Sequence, residues 1–123
     1  MIAQDPIVGI DVSKARLDVF VAATGESLSV ENRRGAVDTL IRMLAGQGAR
    51  TVGLEASGGY EKLLIARLHT AGFTVYLLDP AQVRSFARAM KQHAKTDRID
   101  AAMIARYVEV AQERLVPCVL DRD

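Results

Sequence analysis

Ile7-Val8-Gly9-Ile10-Asp11-Val12 is the stretch whose pattern decides the fold. Read as a strand, it puts Val8, Ile10 and Val12 on one face and Gly9 and Asp11 on the other. A carboxylate within an otherwise apolar strand is costly to bury alone. Asp11 therefore needs a cation, a set of hydrogen-bond donors, or an open cleft at the edge of the sheet.

Working outward, Arg16 to Ala23 alternates Leu17, Val19 and Val21 against Asp18 and Phe20, which predicts a second strand. Thr24-Gly25 is a tight turn into a third, Glu26 to Glu31, where Leu28 and Val30 alternate with Ser27 and Ser29. Short links between these strands imply an antiparallel meander. The period then changes. Val37, Leu40, Ile41 and Leu44 follow helical spacing, ended by Gly46 and Gly48. Thr51 to Glu55 is a short strand closed by an acid. Ser57-Gly58-Gly59 opens a helix, Tyr60 to Thr70, with Leu63, Leu64 and Leu68 as its apolar face and Gly72 as its cap. Phe73 to Leu78 makes the fifth strand. Asp79-Pro80 starts a helix over 81–91, and a further helix begins at about Asp97.

The order β-β-β-α-β-α-β-α places an antiparallel portion before residue 32 and parallel strands with helical crossovers after residue 50. This α/β pattern, a mixed five-stranded sheet flanked by helices, is the ribonuclease H-like arrangement. The 123 residues make a single domain, 1–123, half hydrophobic and a quarter charged, as a soluble globular protein requires. Residues 1–79 hold 8 Lys/Arg against 9 Asp/Glu and residues 80–123 hold 8 against 6, so the basic excess lies in the last third. The single cysteine, Cys118, excludes an internal disulfide framework and suits a reducing compartment. With only His69 and His93 to join it, a zinc site is not expected. Neither a secretory leader nor a membrane-spanning run is visible. Val116-Pro117-Cys118-Val119-Leu120-Asp121-Arg122-Asp123 offers no closing element, which suggests a fragment of a longer protein.

Four acids could carry chemistry. Parallel crossover topology sets the strand ending in Glu55 beside the one bearing Asp11, open to the cleft where α/β sheets bind ligands. Lys95-Thr96-Asp97-Arg98-Ile99-Asp100-Ala101 adds two carboxylates three residues apart, which share a face if the segment is helical. Together these acids could cup magnesium or manganese, hard cations suited to carboxylate oxygens and able to activate water at a phosphodiester. Each acid also has a plainer reading. Asp97 could cap a helix with Asp100 in its first turn. Asp11 could cap a turn through Ser13 or pair with Lys14, and Glu55 could pair with Lys62 or Arg67. Glu61 reads as an exposed first-turn acid. Ser57-Gly58-Gly59 is either a phosphate cradle or, more simply, a turn into a helix.

Arg84, Arg88, Lys91 and Lys95, extended by Arg98, form one helical stripe, either a phosphate-backbone contact or a solvated face. Phe86 alone accompanies it, so base stacking is not the implied mode. Tyr60 and Tyr107 read as packing residues, His69 as lying on a helix surface, and His93 as solvated near the stripe.

Three motifs, Gly9-Ile10-Asp11-Val12-Ser13-Lys14, Leu54-Glu55-Ala56-Ser57-Gly58-Gly59-Tyr60 and Lys95 to Ala101, together resemble the RuvC-like amino-terminal domain of DEDD transposases. That family comprises the IS-one-ten insertion-sequence transposases and the related pilin-inversion recombinase. The likeness runs from about Val8 to Val110. It implies an acidic tetrad of Asp11, Glu55, Asp97 and Asp100 around Mg²⁺ or Mn²⁺, with Lys14 and the basic stripe positioning nucleic acid. It implies DNA cutting and rejoining in transposition, in a bacterial or archaeal cytoplasm, with a structured guide RNA and self-association of the full-length protein. The family also carries a coiled-coil linker and a carboxy-terminal domain with a catalytic serine, neither of which is found in these residues. Ser13 and Ser57 are not that serine.

Two rivals remain. Sugar kinases and actin-like ATPases share the first strand and hairpin, but need a duplicated domain and glycine-rich nucleotide loops. A non-catalytic nucleic-acid-binding or assembly module could keep the same fold.

Overall fold

The computed structural model describes residues 6–55, 57–90 and 100–119. Its strands are β1 (Ile7–Val12), β2 (Arg16–Val21), β3 (Glu26–Glu31), β4 (Thr51–Glu55) and β5 (Thr74–Leu78). Its helices are α1 (Arg34–Gly46), α2 (Lys62–Thr70), α3 (Pro80–Ala89) and α4 (Ala101–Ala111), the last followed by a 3₁₀ turn over Gln112–Arg114. The sheet runs β3-β2-β1-β4-β5. β1, β2 and β3 pair antiparallel, whereas β4 pairs parallel with both β1 and β5. The mixed five-stranded sheet expected from the element order is present, with β1 at its centre.

Period-two alternation gives the central strands β1 and β4 two buried faces, whereas β3 at the edge exposes its serines. Val8, Ile10, Leu17, Val19, Val21, Val52, Leu54 and Val75 meet the apolar stripes of α1 and α2 in one core. On the opposite face, Ile7, Tyr76 and Leu78 meet Val83 and Ala87 of α3 and Ile104, Ala105 and Val108 of α4. The α2 helix starts at Lys62 rather than Tyr60, and its buried stripe is Leu64, Ile65 and Leu68, with Leu63 only partly buried. Arg67 is not available to Glu55: it makes a bidentate pair with Asp38 (Nε–Oδ1 2.7 Å, Nη2–Oδ2 3.0 Å) that ties α2 to α1. This bonding holds the Asp38 carboxyl below its ordinary range.

α4 lies directly on the sheet because glycines clear its path. A Cβ on Gly9 would collide with the Ala101 carbonyl and the Ala105 amide of α4, and one on Gly53 with Val108. Gly9 and Gly53 are register partners on β1 and β4, so the clearance is one continuous slot across two strands. α3 packs beside α4 through an edge-to-face contact between Phe86 and Tyr107, ring centroids 5.4 Å apart. Tyr107 is a packing residue as expected. Tyr60 is not: it is 48% exposed, in the turn before α2.

Candidate functional site

The register of the sheet builds the site. Ile10 of β1 pairs with Leu54 of β4, so the next residues along, Asp11 and Glu55, lie side by side at the carboxyl ends of two central strands. Adjacent strands are only about 4.8 Å apart, so the two acids share one locality. On its other side Asp11 is directly opposite Asp18 of β2, and Glu55 is opposite Leu78 of β5. One rung of the sheet thus reads Asp18, Asp11, Glu55, Leu78 on the face covered by α3 and α4.

Electrostatics follow from that crowding. Burial, and then the negative charge of Asp11, push the Glu55 carboxyl above its ordinary range, while Arg84 pulls it down. Glu55 Oε1 is buried and has no hydrogen-bond partner. Asp11 and Glu55 are both half-buried, as a cleft rather than a core demands.

Asp100 comes from the other side of the cleft. It is the N-cap of α4 in extended conformation (φ −98°, ψ 174°), and its carboxylate accepts from the Met103 amide at 2.9 Å. The helix therefore begins after Asp100, not at Asp97. Asp100 precedes the helix and so does not present the helical face expected of it. Asp100 reaches the site by a different route. With Asp11, Asp18, Ser27, Ser29, Ala101 and Ala102 it lines a cleft of about 410 Å³. Asp97, Lys91, Lys95, Arg98 and His93 lie outside the described residues.

The loops at this end of the sheet are tied to one another. Asn32 donates through Nδ2 to the Ser13 carbonyl (2.9 Å) and the Tyr60 carbonyl (3.0 Å), joining the segments that follow β1 and β4. The Ser13 hydroxyl is occupied with Arg16, donating to its carbonyl at 3.0 Å and accepting from its amide at 3.2 Å. Lys14, in that same turn, is exposed.

The segment after Glu55 is organised by Glu61, which is buried rather than an exposed first-turn acid. Glu61 Oε1 accepts from the Ser57 amide (3.1 Å), the Ser57 hydroxyl (3.1 Å) and the Gly59 amide (3.0 Å). Burial alone would raise its carboxyl; these donors outweigh burial and lower it. The glycine turn does form an anion nest, but an internal carboxylate fills it. Ser57-Gly58-Gly59 is accordingly a turn into a helix.

Arg84 and Arg88 both lie on α3, yet only Arg88 is exposed. Arg84 is half-buried, its Nε buried without a partner, and its charge reaches Glu55. Sequence spacing grouped these two arginines; the fold separates them. Asp18, which the sequence reading took only as a strand residue, lines the acid cleft. The equal-length alternation on either side of the β1–β2 turn could have found Asp18.

Can these residues hold a metal? Among the described residues no group of three or more His, Cys, Asp or Glu side chains is placed to hold a metal ion by itself. The donors are nevertheless of the right kind. Asp11, Glu55 and Asp100 offer hard oxygens, and the orphaned Glu55 Oε1 is an acceptor awaiting a cation or a donor.

A family model for transposases, DEDD_Tnp_IS110, matches residues 8–123. The chain belongs to that transposase family. Curated proteins give no match by sequence. Among solved structures, this transposase-family chain is similar to T. thermophilus RuvC in complex with a Holliday junction substrate, at 16% identity and TM-score 0.70, over 94% of this chain and 100% of that one. It is likewise similar to a second Thermus thermophilus RuvC structure, at 14% identity and TM-score 0.68, over 92% and 99% of the two chains. The fold is therefore RuvC-like, within the ribonuclease H-like class. The family supports a nuclease or recombinase class of enzyme.

Proposed function

We propose that this transposase-family domain cuts and rejoins DNA strands at phosphodiesters during transposition, using Asp11, Glu55, Asp97 and Asp100 to hold Mg²⁺ or Mn²⁺. The observation that carries the reading is the pairing of Asp11 with Glu55 at the mouth of the central strands, where a buried carboxylate oxygen has no partner. Crowded acids of this kind are stabilised by a divalent cation more than by any neutral ligand. Bound there, the ion would lower the pKa of a water and offset charge on the leaving oxygen. The chain's own residues supply the rest. β1 and β4 carry Asp11 and Glu55, Asp100 at the N-cap of α4 would supply a third ligand, and Lys14 and Arg88 offer exposed cations for the DNA backbone, with Lys91, Lys95 and Arg98 continuing the stripe in sequence.

DNA is the macromolecular partner this reading requires. A structured guide RNA and self-association of the full-length protein follow from the family resemblance rather than from any contact in the fold. No helix among the described residues is long and apolar enough to cross a membrane.

Titrating Mn²⁺ into the wild type and Asp11→Asn tests the site. We expect saturable binding by the wild type and at least a tenfold loss in the variant, as removal of one carboxylate ligand entails. Equal, weak binding by both would instead favour the non-catalytic assembly module on the same fold.

A further inference from the structure

Arg84 sits where no surface stripe would put it. Leu78, the register partner of Glu55, ends β5, and α3 starts two residues later with Asp79 as its N-cap. Val83 and Ala87 turn inward to the core beneath α3 and α4. Arg84, between them in sequence, is half-buried on the first turns of α3, the helix that starts beside the Glu55 end of the acid rung. Its Nε is buried and makes no hydrogen bond, and Glu55 Oε1 is in the same condition. The ion pairs found among the described residues, Arg33–Glu31 and Arg67–Asp38, involve neither group.

A buried donor on α3 and a buried acceptor on β4, oppositely charged and bonded neither to each other nor to anything else, are groups that a bridging ligand would satisfy. A buried guanidinium N–H without an acceptor is costly, and the planar fork of arginine suits phosphate oxygens. An acid-rich cleft also repels a phosphodiester unless a cation stands at its wall. We propose that Arg84 is the phosphate-binding residue of the cleft itself, contacting a non-bridging oxygen of the DNA phosphodiester held at the carboxylates. This rests on the metal-site reading above and deepens it. Arg88, one turn further along α3 and exposed, binds the flanking backbone instead. The influence of Arg84 on Glu55 supports the proximity.

The test compares Arg84→Gln and Arg88→Gln in two measurements: Mn²⁺ binding without DNA, and affinity for a short DNA duplex with and without Ca²⁺ as a non-cleaving metal. Removing a positive charge beside the ligands makes Arg84→Gln bind Mn²⁺ as tightly as the wild type or more so. The same variant loses about tenfold in metal-dependent DNA affinity, the scale of a charge-assisted hydrogen bond. Arg88→Gln weakens DNA binding alike with and without metal and flattens its salt dependence. Arg84→Lys, which keeps the charge, recovers part of the loss and serves in place of Arg84→Gln should the latter fail to fold. Weaker Mn²⁺ binding by Arg84→Gln, or unchanged metal-dependent DNA affinity, overturns the proposal. Should the wild type and Asp11→Asn bind Mn²⁺ equally poorly, the underlying metal reading falls first, and Arg84 with it.

Discussion

Glu55 carries opposed demands at the end of β4. Its place beside Asp11 and its burial favour the protonated carboxyl, so its folded-state pKa stands above its unfolded one. The stabilisation this gives is complete below the ordinary glutamate range and is lost as pH rises through the raised folded value. In metal-free protein at neutral pH the ionised form is therefore a burden. Glu55→Gln should melt slightly higher than the wild type at neutral pH, the gap kept small by solvent screening at the open cleft. Thermal melts with a chelator present should show the gap closing as pH falls below the usual glutamate range. Saturating Mg²⁺ should reverse the order. Asp11 and Glu55 were legible in the sequence because strict alternation, plus a parallel crossover, puts two acids at equivalent strand ends. Arg84 was not. A spacing of four joins it to Arg88 on any helical wheel, and only the docking of α3 at the end of β5 turns one inward and leaves the other in water.

Among the elements, α4 depends most on what lies beneath it. Gly9→Ala places a methyl against the carbonyl of Ala101 and the amide of Ala105, backbone atoms that cannot step aside without moving the helix. Gly53→Ala meets a side-chain methyl of Val108, which can rotate. Urea unfolding should therefore rank Gly9→Ala as the more destabilising, within the roughly 1–3 kcal/mol of overpacked cores. Hydrogen exchange over Ala101–Ala111 should rise in the first variant more than in the second. The strands and their order were readable from alternation, and α3 from the Asp79-Pro80 start. The beginning of α4 was not, because Asp97 and Asp100 are equally good caps by residue type. Nor could the sequence say which helix crosses Gly9, since that is a property of the folded sheet alone.

Across the whole molecule, the segment after α4 returns to the far edge of the sheet. The Cys118 amide donates to the Val75 carbonyl of β5 at 2.7 Å, and His69 Nε2 on α2 donates to the Cys118 carbonyl at 2.7 Å. His69 is thus a latch for this segment rather than a bare surface residue. β5 is an end strand, and such edges invite unwanted pairing unless covered. His69→Ala should speed amide exchange at Cys118 and cost about 1 kcal/mol, the net worth of one ordinary hydrogen bond. An unchanged exchange rate would show that Cys118 is held by packing instead. The slot formed by Gly9 and Gly53 reaches further than stability. Asp11, Asp18 and Glu55 are all made in the first half of the chain, whereas Asp100 enters only when α4 settles into that slot. A nascent polypeptide carrying every strand of this sheet but not yet α4 lacks one wall of the cleft. Emerging from the ribosome, it is a frame with an open side, and the site proposed here closes only once that helix has docked.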